Sequence, residues 1–182
     1  GKDGKWQVTL PPMTHGGPYT LSIKGKNEIV FTDVLIGEVW LCSGQSNMEW
    51  IVKNSDNAVK EIANANFPQI RHIAVPKATS LSPVKNIKSA SWEICSPSTV
   101  SNFTAVGYFF AREIYQQLNI PIGIINSSWG GTHVETWISS DAFFGDPEFA
   151  ELKNKIPVNT DKLIAEKKAK LDELIQKTQP GL

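Results

Sequence analysis

Ser46 stands in the run Gly44-Gln45-Ser46-Asn47-Met48, directly after the apolar stretch Val34-Leu35-Ile36-Gly37-Glu38-Val39-Trp40-Leu41-Cys42. Such a stretch predicts a buried strand. A serine at the C-terminal end of a buried strand lies where α/β folds place ligands and catalytic groups. Small and polar neighbours leave its hydroxyl uncovered. The chemistry that would follow is attack on an ester carbonyl. A serine hydroxyl is a weak nucleophile until a base takes its proton, and the attacked carbonyl needs donors aimed at its developing oxyanion. The plainer alternative is that Ser46 caps the next helix. Position 48 is Met, so this is not the Gly-x-Ser-x-Gly nucleophile elbow.

Gly130-Gly131-Thr132 is the second candidate, and it too follows an apolar run. Two such strands side by side would bring both turns to one edge of a sheet. Paired glycines let backbone N–H groups approach a substrate without a Cβ in the way, so Gly130 and Gly131 are candidate oxyanion donors. Gln45, Asn47, Thr132, His133 and Glu135 flank the two turns and are the candidate substrate contacts. A base is harder to find. His15 lies in a β segment beside Gly16-Gly17 and reads as a solvated turn residue. His72 falls within a strand and reads as a satisfied, partly buried histidine. His133 could face the site. The residues three before these histidines are Pro12, Gln69 and Gly130, so no Asp-x-x-His occurs.

Other chemistries find little support. No Cys/His/Asp/Glu cluster has metal-ligand spacing, and neither a Gly-x-Gly-x-x-Gly run nor a P-loop appears. No metal or cofactor is expected. The 182 residues carry 18 basic and 18 acidic side chains. That balance gives no electrostatic reason to expect nucleic acid or an anionic membrane as partner. No stretch is apolar enough to span a bilayer. The two cysteines cannot define a disulfide framework, and Cys42 reads as a small core residue. Asn102 and Asn126 fit the Asn-x-Ser/Thr pattern by chance. The chain opens at Gly1, with no leader peptide visible, so a processed chain or a piece of a longer one is expected.

The elements that must hold these residues read as follows. Residues 1–33 look all-β: Trp6–Leu10 and Tyr19–Ile23 alternate, Gly16-Gly17-Pro18 and Gly25-Lys26-Asn27 are turn signals, and Ile29-Val30-Phe31 follows. Three short strands cannot bury a face alone. From residue 34 the pattern alternates strand and helix, as in a parallel α/β sheet. A helix is expected at 57–65 and a strand at Ile70–Val75. Residues 76–102 read as a long surface loop. An amphipathic helix over 103–118 has Phe103, Val106, Phe110, Ile114 and Leu118 on one stripe. A third strand spans Ile120–Ser127, and a charged helix spans 161–178. Trp40, on a strand, reads as core.

The block Gly37-Glu38-Val39-Trp40-Leu41-Cys42-Ser43-Gly44-Gln45-Ser46-Asn47-Met48-Glu49 resembles the nucleophile block of the sialate O-acetylesterases, which are SGNH/GDSL-type hydrolases. Pro121 through Thr132, with Glu135 and Trp137, is similar to that family's second block. The segment Gly16-Gly17-Pro18-Tyr19 and the helix from Phe103 to Arg112 are similar as well. The likeness runs from about residue 4 to about residue 145. It implies a three-layer α/β/α sandwich, SGNH-hydrolase-like and flavodoxin-like, here incomplete. Residues 1–33 would be the remnant of an accessory β domain. Residues 34–182 would be the front of the hydrolase domain, cut before its base-carrying block. It implies that Ser46 attacks an acetyl ester on sialic acid or an acetylated polysaccharide. The Ser46 N–H and that of Gly130 or Gly131 would hold the oxyanion. The family's later Asn block and C-terminal Asp-x-x-His have no match here, so this piece alone is expected to be nearly inactive. Completion by the missing portion or self-association is expected, and an exported (periplasmic or extracellular) location. The rival reading is a non-catalytic carbohydrate-binding or interaction module built on the six tryptophans.

Overall fold

The computed structural model describes residues 4–80, 82–87, 90–149 and 160–178. The chain divides into two compact units, residues 1–80 with 84–133, and residues 81–83 with 134–182.

The first unit begins with an antiparallel hairpin of β1 (Gly16–Lys24) and β2 (Glu28–Ile36), turned at Gly25-Lys26-Asn27. The alternating run Trp6–Leu10 does not form the expected strand, and its Trp6, Val8 and Leu10 are exposed. Alternation alone is insufficient, because a strand needs a neighbour to take its backbone hydrogen bonds. Gly16-Gly17-Pro18, read as a turn, is the start of β1. The apolar run from Val34 to Cys42 is two strands rather than one. Gly37 separates β2 from β3 (Glu38–Gly44). A Cβ at Gly37 would lie 2.0 Å from the Pro121 carbonyl oxygen. Only glycine lets the chain pass there, where the Glu38 N–H donates to that same oxygen at 3.0 Å.

The remaining elements of this unit are the single turn α1 (Ser46–Glu49), α2 (Ala58–Asn64), β4 (Phe67–Ala74), β5 (Glu93–Cys95), α3 (Ala105–Leu118) and β6 (Ile122–Ser128). The sheet order is β3-β6-β4-β5. β6 runs parallel to both β3 and β4, while β5 is antiparallel to β4, so the sheet is mixed and the fold α/β. β5 lies inside the stretch that reads as loop.

Period-two alternation sorts the strands' side chains onto two faces. Cys42, Ile70, His72, Ile122 and Ile124 are buried and share the core with Ala105, Tyr108 and Ala111 of α3. Small residues let the helix approach closely. A Cβ at Gly107 would meet Thr104 Cγ2 at 2.7 Å, Cys42 Sγ at 3.0 Å and Ile124 Cγ2 at 3.1 Å. On the other parity, Val39 and Leu41 are 61% and 66% exposed. Trp40 departs from the expectation of a core residue. It is 44% exposed and packs edge-on against Phe110 at 5.0 Å, because β3 is an edge strand. α3 stops at Asn119, whose left-handed backbone turns its N–H back to the Tyr115 carbonyl at 2.8 Å, the usual way of satisfying a helix C-terminus.

Beside the sheet, the Glu61 carboxylate of α2 accepts from Tyr108 Oη and Arg112 Nη1 of α3, each at 2.5 Å. Arg71 of β4 makes a two-pronged pair with Asp33 of β2, at 2.9 and 3.0 Å. Cys42 and Cys95 are both buried free thiols.

In the second unit, α4 (Ser140–Gly145) is capped by Ser139, whose Oγ accepts from the Ala142 N–H at 3.3 Å. Phe143 stacks on Phe149 at 4.8 Å. α5 spans Thr160–Thr178, close to the expected charged helix. Among the described residues no helix is long and apolar enough to cross a membrane.

Candidate active site

The register of β3 and β6 sets the site. Ser43 pairs with Ser127 and Gly44 with Ser128, so both strands end at the same level. The Trp129 N–H then donates to the Gly44 carbonyl at 3.0 Å. Gly44 has φ +140°, a conformation that side-chain-bearing residues rarely adopt. It turns the chain out of the sheet and into α1, with Ser46 as the first residue of that turn. The helix N-cap is Gln45, and no side chain caps it. The capping role for Ser46 is therefore excluded. Ser46 is exposed, and Gln45 and Asn47 on either side are exposed too.

The paired-glycine turn lies against this serine. A Cβ built on Gly130 would stand 3.6 Å from Ser46 Cα and 2.4 Å from Glu49 Oε2. The Gly130 N–H donates to Glu49 Oε2 at 2.6 Å. The other oxygen of that carboxylate pairs with Lys77 Nζ, which also sits 5.6 Å over the Trp129 ring. The Lys77 ammonium first, and the Gly130 amide second, hold the Glu49 carboxyl below the usual carboxylate range. Gly131 has φ +77° and open space where a Cβ would be. Thr132 closes the turn with Oγ1 donating to the Trp129 carbonyl at 2.7 Å.

α1 is fixed from the other side by the loop leading into α3. Buried Thr104 donates through Oγ1 to the Met48 carbonyl at 2.6 Å. The Ala105 N–H donates to the Trp50 carbonyl at 2.8 Å, and the Val52 N–H to the Phe103 carbonyl at 3.1 Å. The serine turn thus bridges the start of the main helix and the end of the neighbouring strand.

The histidines are widely distributed. His15 is exposed just before β1, and His133 is exposed three residues beyond Gly130. His72 is 1% exposed, deeper than the partly buried placement expected. It stacks on Phe103 with ring centroids 4.3 Å apart. It is not a satisfied histidine: among the described residues neither ring nitrogen has a hydrogen-bond partner, and Glu93 Oε2 lies 3.8 Å from Nδ1. Burial lowers its pKa from 6.5 to about 4. Sealed in the core, it cannot reach a substrate. Glu135 lies in the single turn Val134–Trp137 of the second unit. Asn126 spends its side-chain oxygen on Ser128 Oγ at 2.8 Å within β6. Among the described residues no three His, Cys, Asp or Glu side chains gather as metal ligands.

A cavity of about 610 Å³ opens at the opposite ends of β3 and β6, lined by Phe31, Arg71, Trp92 and Pro121 among others. Its size does not make it the catalytic site, since the serine and the glycine turn lie at the other sheet edge. Sequence reading singled out Ser46 and the glycine pair but passed over Glu49, Lys77 and Thr104 as site residues. Glu49 carried one usable signal, a carboxylate one helical turn after the serine. Lys77 carried none.

Comparison with known proteins adds the following. Residues 36–165 match the family model described as carbohydrate esterase, sialic acid-specific acetylesterase. The chain is 34% identical to the sialate O-acetylesterase of Mus musculus, over 82% of this chain and 32% of that protein. It is 37% identical to the one of Homo sapiens, over 74% of this chain and 28% of that protein. A carbohydrate acetylesterase from Xanthomonas citri superposes with TM-score 0.75 at 41% identity, over 81% of this chain and 34% of that one. The chain spans about a third of the length of these relatives.

Proposed function

This chain belongs to the sialic acid-specific acetylesterase family of carbohydrate esterases, and from that premise we propose that Ser46 is the nucleophile of a carbohydrate O-acetylesterase. What supports the reading is the shared level of the β3 and β6 ends, with an exposed serine after one and the paired-glycine turn after the other, so close that a Cβ built on Gly130 would stand 3.6 Å from Ser46 Cα. Ser46 Oγ attacks the acetyl carbonyl carbon and gives its proton to a base. The oxyanion that forms is held by the Ser46 N–H and by the glycine turn. The sugar leaves as an alcohol once its oxygen is protonated, and water then releases acetate from the acyl-serine. Gln45, Asn47, Thr132 and His133 contact the sugar.

The base and its orienting acid come from the part of the enzyme that this chain does not span. The boundary expected after residue 33 falls inside β2, so the hairpin that ends at Ile36 is assigned to an accessory β region and the sheet that follows to the hydrolase domain. Self-association or the remainder of the enzyme completes the sheet. The enzyme is exported, as suits glycan substrates. The exposed Trp50 and Trp92 also fit a carbohydrate-binding module without catalysis. Acetate release separates the two. The full gene product should deacetylate O-acetylated sialic acid or acetylated xylan, and Ser46→Ala should stop it at unchanged melting temperature. A full-length wild type that binds the sugar without releasing acetate would favour the module.

A further inference from the structure

Glu49 occupies the amide that the oxyanion hole was expected to use. Its Oε2 accepts from the Gly130 N–H at 2.6 Å, at a turn whose glycine has no room for a Cβ between that carboxylate and Ser46 Cα. The same carboxylate is anchored from behind by Lys77, which rests on the Trp129 ring. Glu49 therefore links α1, three residues after the serine, to the glycine turn after β6, with Lys77 from the loop after β4 as the third point. The Gly131 N–H donates to nothing among the described residues.

We propose that Glu49 is a positioning residue for the oxyanion hole: by holding the Gly130 N–H it docks the glycine turn beside Ser46, and leaves the Gly131 N–H as the donor that this turn offers the substrate. The inference rests on the Ser46 esterase reading. Two acceptors compete for the Gly130 N–H. A carboxylate is a far better acceptor than an ester carbonyl. The Gly130 N–H is thus already satisfied and cannot be aimed at the substrate without first losing Glu49. Lys77 neutralises the carboxylate, so a negative group so near the reaction does not repel the developing oxyanion. A turn tethered at one amide keeps the next within the fraction of an ångström that oxyanion stabilisation requires.

The test uses the full gene product carrying Glu49→Ala or Glu49→Gln, with 4-nitrophenyl acetate hydrolysis and fluorophosphonate labelling as readouts. Glutamine keeps an oxygen to accept from Gly130 but loses the ion pair. Glu49→Ala should lower kcat by ~10²-fold, the scale of one lost oxyanion donor, with KM unchanged. Glu49→Gln should stay within about tenfold of wild type. Glu49→Ala at the wild-type rate, or above it, would overturn the inference, the latter because it would make Gly130 the donor and Glu49 its blocker. Equal losses in the two variants would overturn it too. Should Glu49→Ala fail to fold, Lys77→Met decides, because it leaves the Glu49 carboxylate un-neutralised beside the oxyanion: a lower kcat than wild type and than Glu49→Gln at constant KM supports the tether, and Lys77→Met at the wild-type rate refutes it. A wild type that the probe does not label at Ser46 would sink the nucleophile assignment and this inference with it. A labelled wild type with an indifferent Glu49 sinks this inference alone.

Discussion

Replacing Gly107 with alanine sets two effects of opposite sign against each other, and the geometry decides between them. In an isolated helix the change would stabilise by ~1 kcal/mol. In α3 the new Cβ would stand 2.7 Å from Thr104 Cγ2, 3.0 Å from Cys42 Sγ and 3.1 Å from Ile124 Cγ2. Cys42 and Ile124 belong to adjacent strands of the sheet and cannot both retreat. Overpacking of this kind costs ~1–3 kcal/mol. Thr104 is no freer. Rotating its methyl away swings Oγ1 off the Met48 carbonyl, now 2.6 Å distant, and a buried carbonyl stripped of its donor costs a further ~1–3 kcal/mol. The net expectation is destabilisation by ~1–5 kcal/mol, with a midpoint of ~3 kcal/mol that for a chain of this size lowers Tm by on the order of 6–12 °C. Thermal and urea unfolding followed by circular dichroism measure it. Because Met48 lies two residues after Ser46, the esterase activity of the full gene product should fall with stability. A Gly107→Ala protein that melts at or above the wild-type temperature would refute the packing argument.

Three further outcomes are expected. Gly37→Ala should abolish folding or cost several kcal/mol, since the added carbon would sit 2.0 Å from backbone Pro121 O; soluble yield and urea midpoints read this. Thr104→Val should cost ~1–3 kcal/mol by orphaning the Met48 carbonyl, and an unchanged urea midpoint would contradict the role given to that hydroxyl. His72, whose pKa burial lowers from 6.5 to about 4, folds neutral. Its contribution is full above pH 6.5 and is lost as pH falls toward 4, because only the unfolded chain takes up the proton. A gap of that size converts to about 3 kcal/mol, and the corresponding slope of unfolding free energy with pH should be missing in His72→Leu.

The parts of the molecule that were legible in sequence are those fixed by local periodicity. β6 and α3 carry dense apolar patterns and fall close to their expected bounds, whereas the run from Val34 to Cys42, expected as one strand, is broken at Gly37. What was hidden depends on partners far along the chain. Trp6–Leu10 alternates as a strand does, yet among the described residues no strand pairs with it. β5 is three residues long within a Ser/Pro-rich stretch, too short to show a period, and it exists because β4 offers an edge. Trp40 lies exposed because β3 ends the sheet, a fact of strand order rather than of composition. The Glu49 tether joins residues 28 and 81 positions apart, and no local pattern encodes such a meeting. The exposed Ser46 turn follows a contiguous block that shows in sequence; which turn lies against it is set by the fold.

The most direct measurement is peptide mapping by mass spectrometry after fluorophosphonate treatment of the full gene product. Attachment of a single phosphonyl group to Ser46, absent in Ser46→Ala, is the expected result. A modified serine elsewhere, or labelling that persists in the alanine variant, would contradict the claim that this side chain is the nucleophile.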